Sequence, residues 1–411
     1  MNRSRPLFLP IGEIELKQPE WLIDGLVEAN TLCGLVGASY TGKSFLALDM
    51  ALSIASVFPS MKQQRPKVRF FSLQARGTAV CCLALKLGAG KKGLLAATMR
   101  ELELFHLYKE RYDELDIPFY IRSPAESKQL NPLIDTSCIF GAAHTPTDGH
   151  VDPTGATNAL AKAARILGAQ VERFRPVDAL YQNKDHWVLE TEKGNISAQH
   201  VVIAASFWAR ELMAPLGLNL PLYATQHHEL ITEDIPRIKE MDRNLPAMRD
   251  SYVSCSVRQE ANGLLAGIYE SEPEFWSLEG IPKDFKEELL PPNIDRLASH
   301  LERLCERMPA FAEAGIKLVN NGPMCWTPDG LPMLGPMPNQ NGLWMASGFN
   351  VGIGTGGGAG EFLAHWMIQG QPLFDLSSVH ADRFGNDMTT EYALNSIRKV
   401  YARGYQLPNS I

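Results

Sequence analysis

Apolar positions along this chain follow two periods, and the period changes from one region to the next. An apolar, strand-like run at Leu32–Val36 precedes a helix-like run at Phe45–Val57, and a second strand-like run covers Val68–Leu73. Further on, Thr157–Leu167 has helical spacing and leads into Gly168–Glu172, while His200–Ser206 reads as a buried strand behind an outer strand starting near Asn195. Residues 221–323 differ: short strand-like pieces alternate with polar turns, the pattern of an antiparallel sheet. An apolar strand at Leu343–Ala346 and helical spacing at Phe362, Leu363, Trp366 and Met367 follow, with a last helix-like stretch from Tyr392 to Arg403. The pattern predicts an α/β chain of mixed α+β character, with βα units at both flanks of an antiparallel substrate-type sheet.

Between the strand at 343 and the helix at 362 the polar positions are mostly glycine. Gly348, Gly352, Gly354, Gly356, Gly357, Gly358 and Gly360 fall in this one interval. Glycine lets backbone approach a flat ligand closely, and the N-terminus of a following helix suits an anionic ring edge or phosphate. A cofactor loop is therefore expected here, with Asp329 and Gly330 in the turn just upstream as further cofactor contacts.

A second glycine motif follows the first strand. Gly37-Ala38-Ser39-Tyr40-Thr41-Gly42-Lys43-Ser44 satisfies G-x-x-x-x-G-K-[ST] in a strand-to-helix context. In such a loop, N–H groups around Gly37 and Gly42 wrap a phosphate, Lys43 reaches the outer phosphates and Ser44 holds Mg²⁺, which implies ATP and Mg²⁺ as candidate ligands. The carboxylate that a working NTPase needs after a second strand has no clear counterpart, because Asp135 lies in a segment of different character.

Composition narrows the classes. The chain has 411 residues, 45% hydrophobic, and a net charge of −7, enough for a substantial core and without the basic field that recruits nucleic acid or anionic membrane. Seven cysteines without C-x-x-C pairs favour reduced thiols, and no apolar run reaches spanning length, so a cytoplasmic protein is expected; its oligomeric state is open. Histidines 144 and 150 sit among turn residues and make no metal-ligand pattern, so no metal is expected.

Asp329-Gly330-Leu331-Pro332-Met333-Leu334-Gly335-Pro336 followed by the glycine run resembles the C-terminal flavin-contacting segment of the D-amino acid oxidase superfamily, in its dimethylglycine and sarcosine dehydrogenase branch. Asp148-Gly149-His150-Val151-Asp152-Pro153 and Trp208-Ala209-Arg210 are similar to markers of the same branch, in family order. The resemblance implies FAD, a small N-methyl amino acid as substrate, FAD-contacting segments near 148–220 and 324–370, and a substrate sheet near 99–147 and 221–323, all within residues 76–411. It implies further that His227, one of two adjacent histidines on a strand, faces the flavin, and that Tyr269 lies over the substrate. Ser206 stands where the branch usually has glycine. Longer relatives continue into a folate-binding domain; its absence here would make free formaldehyde the product. Chemistry adds that the substrate carboxylate needs a cation, for which Arg258, brought beside Tyr269 by a hairpin at Asn262-Gly263, is the candidate.

Residues 1–75 resemble the N-terminus of AAA ATPases of the replicative-helicase-like group, implying a separate P-loop βα fragment. If Val68–Leu73 is the first strand of a flavin-binding Rossmann-like domain, Gly77 falls at the third glycine of G-x-G-x-x-G and the first two are missing, leaving that domain partly degraded and FAD weakly held. Three functions compete: an FAD-dependent amine oxidoreductase, an ATP-binding P-loop protein, and an inactive fusion of two truncated domains.

Overall fold

The computed structural model describes residues 92–406, apart from 115, 287 and 386, together with the strands Leu32–Val36 and Arg69–Phe70. Two compact units are built from interleaved segments. The described parts of the first are the two short strands, 152–222 and 325–390; the second comprises 92–151, 223–324 and 391–406.

The first unit is built on a four-stranded sheet in the order Leu32–Val36, His200–Ala204, Leu343–Ser347, Met333–Pro336. The first three run parallel, with Leu32 opposite His200 and Val201 opposite Leu343; the last is antiparallel. Val201, Val202, Ile203 and Ala204 are buried on both faces, which is why this strand reads as an uninterrupted apolar run. Arg69–Phe70 pairs in parallel with Gln170–Val171. The helix Pro153–Ile166 starts at Asp152, whose side chain accepts the N–H of Gly155, and buries Ala156, Leu160, Ala161 and Ala164 on one stripe. A small antiparallel sheet of Ala179–Asn183, His186–Glu190 and Ile196–Ala198 buries Trp187, whose Nε1 donates to the carbonyl of Asn341 at 2.8 Å.

The pairing corrects the placing of Val68–Leu73 as first strand of the flavin-binding sheet. The strand beside His200–Ala204 is Leu32–Val36, the one that precedes the P-loop motif, and the run at Val68–Leu73 supplies the strand paired with Gln170–Val171. The described strands of residues 1–75 thus both belong to the first unit, one in the four-stranded sheet and one in a two-stranded sheet with Gln170–Val171. Parallel neighbours are chosen by backbone hydrogen-bond register, which a loop motif does not encode.

The second unit is dominated by a mainly antiparallel nine-stranded sheet, in the order Phe275–Trp276, Tyr223–Thr232, Gly263–Ile268, Cys255–Glu260, Ala247–Asp250, Lys92–Ala96, Gly141–Thr145, Tyr120–Arg122, with Ile316–Trp326 also pairing with Tyr223–Thr232. The join of Ala247–Asp250 to Lys92–Ala96 is parallel. The hairpin is present, but its two-residue turn is Ala261-Asn262, with Ala261 at φ +51°, and Gly263 opens the second strand. Glycine is required at Gly263 because a Cβ there would lie 2.8 Å from the carbonyl oxygen of Thr232. One face of the sheet buries Leu230, Val257, Ala266 and Ile268 with Leu297, Leu304 and Met308. The helix Ala298–Arg307 ends on a buried ion pair in which Arg307 Nε donates to Asp250 Oδ2 at 2.6 Å. The C-terminal helix Thr390–Arg403 buries Ala393, Ile397 and Tyr401.

Candidate active site

In the first unit the expected glycine loop is helix. Gly352–Gln369 is one α-helix, so Gly352, Gly354, Gly356, Gly357 and Gly358 form its first two turns rather than a loop ahead of Phe362. Gly356 and Gly357 are buried; Gly354 and Gly358 are exposed. The N-cap is Val351, which offers no side-chain cap, and the first turn carries no acid. The opening backbone N–H groups of an eighteen-residue helix are thus left without a side-chain acceptor, with the positive end of the helix dipole behind them. A Cβ on Gly354 would touch only Val351, at 3.4 Å, and one on Gly358 nothing within 4 Å. This donor set fits the electron-rich N1–C2 edge of a flavin.

The upstream turn serves a different purpose from the one expected. Asp329 accepts two hydrogen bonds from Arg383, Nε to Oδ2 at 2.8 Å and Nη2 to Oδ1 at 2.9 Å, and others from the N–H of Leu331 and the hydroxyl of Thr327. Burial alone would raise its pKa, but these donors, led by Arg383, hold it below the ordinary value. Asp329 thus ties the turn at Gly330 to Arg383. Gly330 provides that turn's positive φ of +76°. Gly348, at φ +82°, is held by packing, since a Cβ there would lie 2.7 Å from Thr327 Cγ2.

In the second unit, strand alternation separates the adjacent histidines. His228 is fully buried and His227 partly so. The ring of His227 packs on Tyr269 at 4.6 Å between centroids, and its Nδ1 lies 3.2 Å from the hydroxyl of Tyr401. Tyr401 donates a short hydrogen bond to Glu270, whose other oxygen is 3.3 Å from His228 Nδ1. Tyr405 adds a ring 5.2 Å from Tyr269. Desolvation lowers the pKa of His227 to about 4 against the opposing pull of Glu270, and burial first of all raises that of Tyr269. Both are neutral at neutral pH. An imidazole of that pKa is a weak base: taking a proton from an alkylammonium of pKa about 10 costs roughly 8 kcal/mol.

Arg258 departs from its expected role. Its guanidinium is ion-paired with Glu260 on the same strand, which leaves its charge compensated. Arg249 is the cation beside the aromatic cluster: its Cζ stands 5.3 Å from the centre of the Tyr405 ring, and its charge acts on both Tyr405 and Tyr269. Among the described residues no carboxylate forms an ion pair with Arg249. Sequence reasoning missed Arg249, Glu270, Tyr401 and Tyr405 because the C-terminal helix and three strands must fold together before these residues meet. Gly37, Gly42, Lys43 and Ser44 lie outside the described residues. No group of side chains suited to a metal ion occurs among the described residues, and none of their helices is long and apolar enough to cross a membrane.

A family model described as "FAD dependent oxidoreductase" matches residues 71–366. The chain belongs to this family. An AAA domain model matches residues 8–111 of the same oxidoreductase, so 71–111 fall within both. Mouse mitochondrial dimethylglycine dehydrogenase is 40% identical over 288 residues, covering 69% of this chain and 33% of the relative. Mouse mitochondrial sarcosine dehydrogenase is 33% identical over 300 residues, covering 71% of this chain and 32% of the relative. The oxidoreductase therefore spans about a third of the length of the curated relatives it matches. In fold it is similar to the crystal structure of L-proline dehydrogenase from P. horikoshii, with a TM-score of 0.68 at 20% identity, covering 88% of this chain and 98% of the other.

Proposed function

We propose that this FAD-dependent oxidoreductase acts on the C–N bond of N-methylated glycines of the dimethylglycine and sarcosine type. The observation that carries the reading is the aromatic and imidazole cluster of His227, Tyr269 and Tyr405 with Arg249 beside it, which combines a neutral acceptor, ring faces and an uncompensated cation. A small zwitterion asks for this combination: Arg249 pairs its carboxylate, and His227 and Tyr269 receive its amine end. The names of the two mitochondrial relatives support the same substrate class. The backbone N–H groups of Gly352–Thr355 would hold the electron-rich edge of the flavin, and the cofactor when bound would supply the acceptor for a hydride from the carbon next to nitrogen. The chain's own task is to bind the amine, exclude water and receive its proton.

The test is formaldehyde release from dimethylglycine and sarcosine by protein supplied with FAD and an artificial electron acceptor. Arg249→Ala is expected to raise KM at least tenfold with kcat little changed, and Arg258→Ala to leave both near the wild-type values. Turnover without formaldehyde, or a KM defect in the Arg258 variant alone, would sink the assignment.

A second reading concerns the P-loop motif. It is favoured by the register of Leu32–Val36 beside His200–Ala204, because Gly37 to Ser44 follows directly on a strand of the sheet that a flavin dinucleotide requires. We propose that this glycine loop takes the place of G-x-G-x-x-G and receives the diphosphate of FAD, in preference to ATP and Mg²⁺ for hydrolysis.

A further inference from the structure

The polar cluster of the second unit has a hydrogen-bond direction, and that direction selects a tautomer. A phenol has one proton, and Tyr401 gives its proton to Glu270 Oε2. The backbone N–H of Asn293 donates to His228 Nε2 at 3.2 Å, so the proton of His228 sits on Nδ1 and points at Glu270 Oε1, 3.3 Å away. Glu270, buried and with Arg296 Nε at 3.7 Å, thus receives two donors as an ionised carboxylate; burial opposes this, and the bonds from His228 and Tyr401 outweigh it. With its proton committed, the oxygen of Tyr401 can only accept from His227 Nδ1. His227 therefore carries its proton on Nδ1 and a lone pair on Nε2. That nitrogen lies beside Gly267, 3.9 Å from where a Cβ would stand.

We infer that Tyr401 and Glu270 are positioning residues that hold His227 in the Nδ1–H tautomer, so that its Nε2 accepts the N–H of a substrate ammonium and the site takes up its amino acid in protonated form. A free tertiary amine has no N–H to offer, whereas its ammonium has one. As that proton moves to Nε2, the positive charge on the imidazolium is balanced through Tyr401 by the negative charge of Glu270. The substrate half of this inference rests on the function proposed above; the tautomer does not.

The experiment is ¹⁵N NMR of the histidine side chains in the whole chain, without substrate, with the His227 signals assigned by their loss in His227→Gln. A protonated Nδ1 and an unprotonated Nε2 are expected in the wild type, and a dominant Nε2–H form in the wild type overturns the inference with no variant needed. In Tyr401→Phe, the Nδ1–H form is expected to fall from the dominant to the minor species; in Glu270→Gln, whose amide can donate to Tyr401, a shift in the same direction is expected. Wild-type populations in both variants would also overturn it. Dimethylglycine at neutral pH is expected to move the Nε2 signal, while trimethylglycine, a cation without N–H, leaves it in place. Equal response to the two overturns the ammonium claim. The expected tautomer with no response to either upholds the positioning role and removes the amine reading.

Discussion

Ser206 is a buried residue whose backbone takes a conformation that suits glycine better than serine. It is buried, with φ of +55°, directly after the central strand His200–Ala204, a conformation that costs a non-glycine residue about 1–3 kcal/mol. Glycine, which the resemblance leads one to expect at this position, adopts such a φ without strain. Ser206→Gly should stabilise the protein by about 1 kcal/mol after the extra freedom of glycine in the unfolded chain is subtracted, and chemical denaturation measures it; a loss of stability would mean that the hydroxyl has an unrecognised role. Titration acts at the same scale. His227 binds a proton near pH 4 when folded and near 6.5 when unfolded, so the unfolded chain takes up more protons between these values and stability falls as pH is lowered through that window. Glu270, whose pKa is lowered in the folded state, acts in the same direction, its contribution being present above its unfolded value and lost as pH falls through the folded one. Melting temperatures between pH 7 and 4.5 should therefore decline, and the decline should be shallower in His227→Gln.

Among the elements, the glycine-rich helix shows how one segment can be read correctly in content and wrongly in form. Seven glycines in so short an interval argue against helix by propensity, yet the segment is helical from Gly352, with Phe362, Leu363 and Ala364 buried further along. Packing of its later turns carries the weak first ones, and the glycines keep those first turns bare. The helix makes its own prediction through its dipole. Gly354→Asp places an acid in the first turn, where it favours the helix, and at the edge offered to the flavin, where it repels the ligand. Its melting temperature should hold or rise slightly, while affinity for FAD, followed by fluorescence titration, drops tenfold or more, about 1.4 kcal/mol. Unchanged affinity would remove this helix end from the cofactor.

At the scale of the whole molecule, the informative feature is that the P-loop strand and the flavin-type sheet are one structure. Leu32–Val36, from the segment that resembles an AAA domain, is a strand of the four-stranded sheet beside His200–Ala204, and Arg69–Phe70 pairs separately with Gln170–Val171. If the phosphate loop serves the dinucleotide, Lys43→Ala lowers the affinity for FAD and for ADP together, by about 1.5–3 kcal/mol for a lost charge-assisted hydrogen bond, or roughly ten- to a hundredfold. Calorimetric titration of both ligands measures it, and a variant that loses ATP binding while holding FAD as before would separate the two sites.

Sequence by itself determined the family, the mixed α/β class and the glycine-rich stretch in which the helix Gly352–Gln369 begins. All of these are written in local patterns: periods of two and 3.6, glycine density, and short motifs whose chemistry depends on neighbours along the chain. Tertiary structure decided the rest. Arg258 and Arg249 are equally plausible as cations in a string of letters, and only the fold places Glu260 against one and Tyr405 against the other. The acid Glu270 and the phenol of Tyr401 are 131 residues apart, and nothing local ties them. Asp329 is tied to Arg383, 54 residues on, by bonds to both its oxygens, and nothing local to the turn announces that partner. Strand order in the first unit was likewise beyond the sequence, because parallel neighbours are chosen by hydrogen-bond register between segments far apart in the chain, and apolar runs of similar length compete equally for each place.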